Sequence, residues 1–245
     1  MFSFFKRKEN NTAANFLAVK TDMHSHLIPG IDDGAKTIED SLALIKELHS
    51  LGYTKLITTP HIMSDFYRNT PEIIMAGLED VRKAVKAENI PVTIEAAAEY
   101  YLDDGFIHKL EEEKLLTIGN NNHLLFEISY VNAPDNLLQV IFRMQVLGYK
   151  PIMAHPERYP FWGNNFDFYG SLRDQGVLLQ INVNSLAGYY GPDAKRTAEK
   201  LIEKEWVDLI GTDTHAIKHI NALHKTVKEK SFKKLLEFNL LNKHL

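Results

Sequence analysis

The stretch VKTDMHSH, residues 19–26, ends a predicted β-strand with two histidines two positions apart. Valine and threonine favour extended backbone, and residues i and i+2 of a strand point to the same face. His24 and His26 can therefore reach one metal ion together. The same arrangement, a short apolar strand followed at once by a metal-binding side chain, recurs along the chain and indicates how it folds.

Apolar or β-branched strands alternate with helical patterns from residue 19 onward. The predicted strands lie near residues 19–23, 56–59, 92–98, 123–128, 151–154, 177–181 and 207–210, and the predicted helices near 37–51, 71–88, 104–113, 134–147, 166–175 and 194–204, before one or two closing helices. This alternation is typical of βα units with a parallel sheet. We predict one closed or nearly closed parallel barrel, with an open doubly wound sheet as the alternative. Residues 1–18 are predicted to be an N-terminal extension, and residues 19–245 a single domain.

Composition excludes several kinds of chemistry. The 245 residues include no cysteine, so a thiolate nucleophile, an iron–sulfur cluster and a disulfide are impossible. The 28 Lys+Arg against 32 Asp+Glu give a net charge of −4, which argues against a nucleic-acid partner.

No apolar run approaches the roughly 20 residues that span a bilayer, and the first eight residues do not have the order of a signal peptide. We therefore expect no transmembrane segment and a cytoplasmic protein.

Histidines and carboxylates follow six of the predicted strands. The candidate ligands are His24, His26, Asp32, Asp33, His61, Glu99, Glu127, His155, Asp213 and His215. Parallel strands bring their C-terminal ends to one rim, so these side chains are predicted to form one metal site. Imidazoles and carboxylates without thiolates suit Mn, Fe or Zn, and Mg remains an alternative. The set is too large for one ion and predicts two or three, with Glu99 as the bridge; paired ions are a recurring device for cleaving phosphoesters.

Six segments together resemble a known group of proteins. They are DMHSH at 22–26, TPH at 59–61, EYY at 99–101, FE at 126–127, AHPERY at 154–159 and DTH at 213–215. They resemble the PHP (polymerase and histidinol phosphatase) superfamily, over nearly the whole chain from Asp22 to His224. Within it, HSHLIPGIDDG at 24–34 and HPERY at 155–159 resemble the bacterial protein-tyrosine phosphatases of capsule and exopolysaccharide operons, the CpsB type.

The resemblance implies a PHP fold, a distorted TIM-like (β/α)7 barrel, with three metal ions that are usually manganese. It implies hydrolysis of phosphotyrosine on an autophosphorylating bacterial tyrosine kinase that controls polysaccharide export. One ion would be held by His24, His26, Glu99 and Asp213, a second by Glu99, Glu127 and His155, and a third by Asp32 or Asp33 with His61 and His215. Asp33 is favoured because it precedes Gly34, and Arg158 matches the phosphate-binding arginine.

Arg158, Asp213 and His215 are the predicted catalytic residues. Arg158 would hold the phosphoryl oxygens with its planar fork, and His215 or water ordered by Asp213 would stabilise the tyrosine phenolate. One or two tyrosines are expected to stack on the substrate ring, from the set Tyr100, Tyr101, Tyr130 and Tyr159. Asn182 and Asn184 are expected to support the site.

Three other functions are alternatives to a tyrosine phosphatase. They are a small-molecule phosphatase acting on a substrate such as histidinol phosphate, a phosphodiesterase, and a non-enzymatic module with a structural metal.

Overall fold

The computed structural model of the protein describes residues 16–112, 114–163 and 165–245. In chain order the strands are β1 Thr21–Asp22, β2 Lys55–Thr58, β3 His61–Ile62, β4 Thr93–Ala96, β5 Glu99–Tyr101, β6 His123–Glu127, β7 Lys150–Ala154, β8 Leu178–Asn182 and β9 Leu209–Gly211. The α-helices are α1 Ile38–Ser50, α2 Pro71–Ala87, α3 Asp104–Glu112, α4 Leu137–Val146, α5 Phe166–Asp174, α6 Pro192–Glu203, α7 Ile217–Thr226 and α8 Lys230–Leu235. Short 3₁₀ helices cover Pro156–Arg158, Val183–Ala187 and Leu241–His244.

The strands pair in parallel in two sheets. One has the order β1-β2-β4 and the other β3-β5-β6-β7-β8-β9. Helices connect most consecutive strands along the chain, as βα crossovers do. The predicted α/β class, with strands and helices alternating around parallel sheets, is confirmed.

Two predicted strands are longer than expected and are interrupted. The strand predicted at 56–59 continues past Thr59 and Pro60 as β3, because Pro60 has no N–H with which to pair. The strand predicted at 92–98 likewise continues beyond residues 97 and 98 as β5. The ladder bridges the gap, since the Glu99 amide donates to the Pro60 carbonyl at 3.1 Å. His61 and Glu99 therefore lie inside strands, directly paired with each other, and not after the strand ends as predicted.

The segments beyond β1 and β9 also contact each other. The Asp213 amide donates to the His24 carbonyl at 2.8 Å, and the His26 amide donates to the Thr214 carbonyl at 3.0 Å. Ser25 and Thr214 form a parallel bridge. The first and last strands of the chain are thereby joined just where the predicted ligands stand.

The helices pack their apolar faces on the sheets. In α1, Leu44, Ile45 and Leu48 are buried, and Thr37 and Asp40 cap the helix reciprocally. In α2, Thr70 accepts from the third residue of the helix, which confirms its predicted role as N-cap. These helices hold the strands from outside, and their N-termini lie at the rim that carries the site.

Residues 1–15 of the predicted extension lie outside the described residues. Phe16, the first described residue, is fully buried, and its ring lies 4.8 Å from Tyr53 and 5.0 Å from Phe232. The packed domain therefore includes Phe16. Among the helices of the described residues, none combines the length and apolar content that crossing a bilayer requires.

Candidate metal centre

The predicted ligands, apart from Asp32, meet at the rim formed by the C-terminal ends of the strands. Within the described residues they form four adjoining groups, in each of which the donor atoms lie within 4.8 Å of one another. The groups are His24–His26–Asp213, His24–Glu99–His155, His61–Glu99–Glu127 and His26–Asp33–His61–His215. Because the groups share members, they form one continuous centre.

Glu99 lies in the middle of this centre. Its Oε2 is 3.1 Å from His24 Nε2 and 3.2 Å from His61 Nδ1, while its Oε1 is 2.9 Å from His155 Nε2. The side chain is fully buried. Both carboxylate oxygens therefore face imidazoles from different strands, which is the position that a bridging carboxylate requires.

The neighbours Asp32 and Asp33 have different surroundings. Asp32 Oδ2 is 2.8 Å from His26 Nδ1, and its Oδ1 accepts from the Gly34 amide. Asp33 Oδ1 is 3.2 Å from His215 Nε2 and 3.5 Å from His61 Nε2. Asp33 thus faces ring nitrogens of two histidines, whereas Asp32 binds Nδ1 of His26 and orients its ring.

Gly34 allows the segment that carries Asp32 and Asp33 to pass close to His26. A Cβ on Gly34 would lie 2.2 Å from the carbonyl oxygen of His26, which no side chain can tolerate. The Gly34 backbone therefore approaches His26 closely, and this approach places Asp33 over the centre. The sequence signal for this contact is the Asp-Gly pair itself.

A buried polar chain supports His24 and Asp213. Gln180 Oε1 lies 2.7 Å from His24 Nδ1, and Gln180 Nε2 donates to Asn182 Oδ1 at 3.0 Å. Asn182 Nδ2 in turn donates to Asp213 Oδ2 at 2.7 Å. With its Nδ1–H given to Gln180, His24 keeps Nε2 free to bind an ion.

The supporting role predicted for Asn182 agrees with these contacts, whereas Gln180 was missed. Its signal was an amide two residues before Asn182, on the same face of strand β8, whose other residues are leucine and isoleucine. Asn184 donates to the His219 carbonyl and not to one of the candidate ligands.

Two ligand candidates have left-handed backbone conformations. His155, directly after β7, has φ 35°, and Asp213, two residues after the end of β9, has φ 50°. Residues other than glycine adopt this region at a cost, and such positions cluster at functional sites. In both cases the turn directs the side chain to the centre instead of along the strand.

The centre attracts positive charge. Burial opposes protonation of His24, but the carboxylates of Glu99 and Asp213 outweigh it and raise the His24 pKa to about 9. Burial likewise works against ionisation of Glu99, yet His24 and His61 hold the pKa of that carboxyl well below its usual range. Without cations, protons on the histidines would balance these carboxylates.

The residues fit divalent metal ions. His26 Nε2 and His61 Nδ1 are buried and have no hydrogen-bond partner among the described residues. Each faces carboxylates, His26 Nε2 at 3.5 Å from Glu99 and Asp213, and His61 Nδ1 at 3.0 Å from Glu127. Unpartnered buried nitrogens aimed at carboxylates are unfavourable unless a cation lies between them. The nitrogen and oxygen donors suit Mn, Fe or Zn.

Arg158 stands at the edge of the centre. Its Nη1 donates to Asp213 Oδ2 at 2.8 Å, and its guanidinium carbon lies 4.9 Å from the Tyr130 ring and 4.2 Å from the Tyr190 ring. The two rings hold the guanidinium by cation–π contact. Asp213 therefore uses one oxygen for Arg158 and turns the other to His24 and His26.

A cavity of about 680 Å³ opens over the centre. Of the tyrosines predicted to stack on a substrate ring, Tyr101 and Tyr130 line this cavity. Tyr100 and Tyr159 do not: they are buried, and their hydroxyls accept from the amides of Leu116 and Ile128. Sequence reasoning missed further aromatic lining residues, which are Tyr67, Tyr189 and Tyr190.

Imidazoles and carboxylates gathered at the rim of parallel strands, beside a cavity with an arginine at its edge, are typical of metal-dependent hydrolases. More particularly, this chain belongs to the family described as "Capsular polysaccharide synthesis, CpsB/CapC", whose model matches residues 20–237. The resemblance predicted from the sequence motifs is thereby confirmed.

Named relatives cover most of the chain. It is 28% identical over 225 residues to the putative tyrosine-protein phosphatase CapC of Staphylococcus aureus, covering 90% of this chain and 88% of the relative. It is 29% identical over 200 residues to the tyrosine-protein phosphatase YwqE of Bacillus subtilis, covering 82% and 79%.

Solved structures of similar fold support the family assignment. One from the study of YwqE from Bacillus subtilis and CpsB from Streptococcus pneumoniae, described as unique metal-dependent tyrosine phosphatases, matches with a TM-score of 0.80 and 27% identity, over 91% of this chain and 90% of the other. An amidohydrolase from Mycoplasma synoviae, at a TM-score of 0.51 and 14% identity, shares the fold alone.

Proposed function

We propose that this protein is a metal-dependent tyrosine-protein phosphatase that hydrolyses phosphotyrosine without a covalent cysteine intermediate. The observation that carries the proposal is the continuous donor centre around Glu99, with Arg158 beside it at the edge of an aromatic cavity. The similarity to YwqE over most of both chains supports the same activity.

The proposal includes a distorted (β/α)7 barrel. If β2 with β3, and β4 with β5, each count as one interrupted strand, the two sheets together contain seven strands, of which β1 is the first and β9 the last. The hydrogen bonds of Asp213 to His24 and of His26 to Thr214 then join the last strand to the first. In such a barrel the C-terminal rim is where active sites lie.

Two or three ions would occupy the centre, with manganese the first expectation and Fe, Zn or Mg the alternatives. His24, His26, Glu99 and Asp213 would hold one ion, and Glu99, Glu127 and His155 a second. Asp33, His61 and His215 would hold the third, with Asp32 as the support of His26. His61 lies between the second and third sets, since its two nitrogens face Glu127 and Asp33 respectively.

Bound divalent ions would act as Lewis acids, making a water nucleophile available at neutral pH and neutralising phosphoryl charge. Arg158 would donate to a phosphoryl oxygen, since its guanidinium lines the cavity and has donors beyond the one given to Asp213. Tyr130 and Tyr190 keep that guanidinium in place. The leaving phenolate, whose pKa is near 10, would be stabilised by His215 or by water ordered by Asp213; both residues line the cavity together with Arg158.

The substrate protein is proposed to be an autophosphorylating tyrosine kinase of polysaccharide export, encountered in the cytoplasm. The family description, capsular polysaccharide synthesis, supports this pathway. A net charge of −4 gives no support to a nucleic-acid substrate.

Parallel assays with manganese-loaded protein test the proposal. A phosphotyrosine peptide, a phosphoserine peptide, histidinol phosphate and bis-p-nitrophenyl phosphate are compared by kcat/KM, with Glu99→Gln as the inactive control. We expect the phosphotyrosine peptide to be the best substrate by at least about tenfold, since the cavity is lined with aromatic rings. Higher kcat/KM for histidinol phosphate or for the diester would replace the proposal with the corresponding alternative.

A further inference from the structure

A second, smaller cavity of about 330 Å³ lies beside the metal centre. It is a groove between the segment that leads into α1 and the beginning of α7. The apolar residues that line it are Ala35, Ala43, Leu44, Ala216 and Ile217. We refer to it as the α1–α7 groove.

The α1–α7 groove adjoins the large cavity over the metal centre. Asp33, His215 and Ala216 line both and stand between them. A polypeptide whose phosphate lies at the centre can therefore reach the groove by passing over these residues. A free amino-acid-sized phosphate ester ends within the large cavity, whereas a polypeptide continues beyond it.

The charged residues Lys36 and Asp40, which line the groove together with Asp33, are already engaged by the protein itself. Lys36 Nζ donates to the Asp32 carbonyl at 3.1 Å, and Asp40 accepts from the amides of Lys36 and Thr37 at the start of α1. These bonds are made by the charged ends of the two side chains. The groove therefore offers mainly apolar surface to a ligand.

Helix α7 begins without a polar cap. Its N-cap is Ala216, which makes no side-chain capping bond, although Ser, Thr, Asp or Asn is the preferred residue at this position. The next residue, Ile217, exposes 52% of its surface. Two apolar residues thus stand where polar ones would favour stability, at the edge of the metal centre. Exposed apolar surface next to a functional site is typical of ligand binding.

We propose that the α1–α7 groove binds an apolar side chain that flanks the phosphotyrosine in the substrate polypeptide. The proposal rests on the proposed function and adds a sequence preference to it. The occupant is a large aliphatic or aromatic side chain, because the groove has room for one and an apolar lining, while its charged residues are paired within the protein.

The test measures peptide selectivity in manganese-loaded protein. A host phosphotyrosine peptide carries leucine, in turn, at each of the two positions on either side of the phosphotyrosine, and the same peptides carry serine there instead. We expect leucine to raise kcat/KM about tenfold at one or more of these positions, since burial of its side chain is the difference.

Variants of the groove locate the preference. Ile217→Ser and Ala43→Leu, the latter filling the groove from an exposed position of α1, should each reduce the leucine-to-serine ratio to about twofold or less. Val146→Ser is the matched control: Val146 is 56% exposed at the end of α4 and lines neither cavity. It should leave the ratio at the wild-type value.

Two results overturn the proposal. One is the absence of a leucine preference at every position in the wild-type protein; the other is a preference that survives both groove variants. Failure of the proposed function is distinguishable, because the protein would then hydrolyse no phosphotyrosine peptide of either series.

Discussion

Replacing Arg158 by alanine is expected to separate phosphate binding from metal binding. Arg158 Nη1 donates to Asp213 Oδ2, but the same oxygen also accepts from Asn182 at 2.7 Å and from the Tyr190 hydroxyl at 3.4 Å. Loss of the arginine leaves these two donors in place. Asp213 should therefore keep its orientation towards His24, and the metal content of Arg158→Ala should stay near that of the wild type.

The expected loss is in catalytic efficiency. One hydrogen bond to a charged group contributes about 1.5–3 kcal/mol, so kcat/KM for a phosphotyrosine peptide should fall about 10- to 150-fold. Arg158→Lys should recover only part of this loss. Lysine keeps the charge but lacks the planar guanidinium that contacts the Tyr130 and Tyr190 rings. Steady-state kinetics at saturating manganese, with elemental analysis of the same samples, measures both quantities.

Two results would refute this reasoning. Unchanged kcat/KM in Arg158→Ala would show that the arginine is only an ion-pair partner of Asp213. A loss of metal in proportion to the loss of activity would show that Arg158 acts by holding Asp213, and not by contact with the phosphate.

Asp33→Asn should remove one ion per chain in elemental analysis, because Asp33 faces the nitrogen of His215. Asp32→Asn should retain the ions but bind metal about 10- to 100-fold more weakly, because His26 loses its hydrogen-bond partner. Equal ion contents and equal metal affinities in the two variants would contradict the assignment. Gly34→Ala should lower the free energy of unfolding by about 2–4 kcal/mol, measured in urea, since its Cβ would clash with the His26 carbonyl; wild-type stability would show that the loop yields easily. In metal-stripped protein the His24 pKa is raised to about 9 from 6.5. The stability that its proton confers is therefore complete below pH 6.5 and lost as the pH rises through 9. Urea unfolding should show this loss, and a flat profile over that range would contradict it.

The sequence predicted the ligand set because the reasoning needed only strand positions. Parallel strands bring their ends to one rim whatever the details of packing, so His24, His155 and Asp213 could be grouped without coordinates. The choice between Asp32 and Asp33 was open from spacing alone, since both follow the same strand. The resemblance favoured Asp33 because it precedes Gly34, and the structure supplies the physical reason, which is the close approach of Gly34 to His26.

The aromatic residues that line the cavity, and the supporting amide of Gln180, were harder to predict. Tyr100 and Tyr101 are adjacent in β5, yet one is buried and the other lines the cavity, because successive residues of a strand point to opposite faces. Which face was which depended on the register of β5. The interruptions at Pro60 and at residue 97 shift that register and were not foreseen. Tyr190 comes from a loop, whose conformation periodicity does not determine.

The most direct test of the central claim is the release of inorganic phosphate from a phosphotyrosine peptide during manganese titration of protein stripped by a chelator. Stripped protein should release no phosphate above background, and activity should rise with manganese to saturation at two or three ions per chain. The donor groups around Glu99 predict this result, because the chain has no cysteine to act as nucleophile and bound ions would make a water nucleophile available instead. Full activity in the stripped protein, or saturation at one ion, would contradict the account.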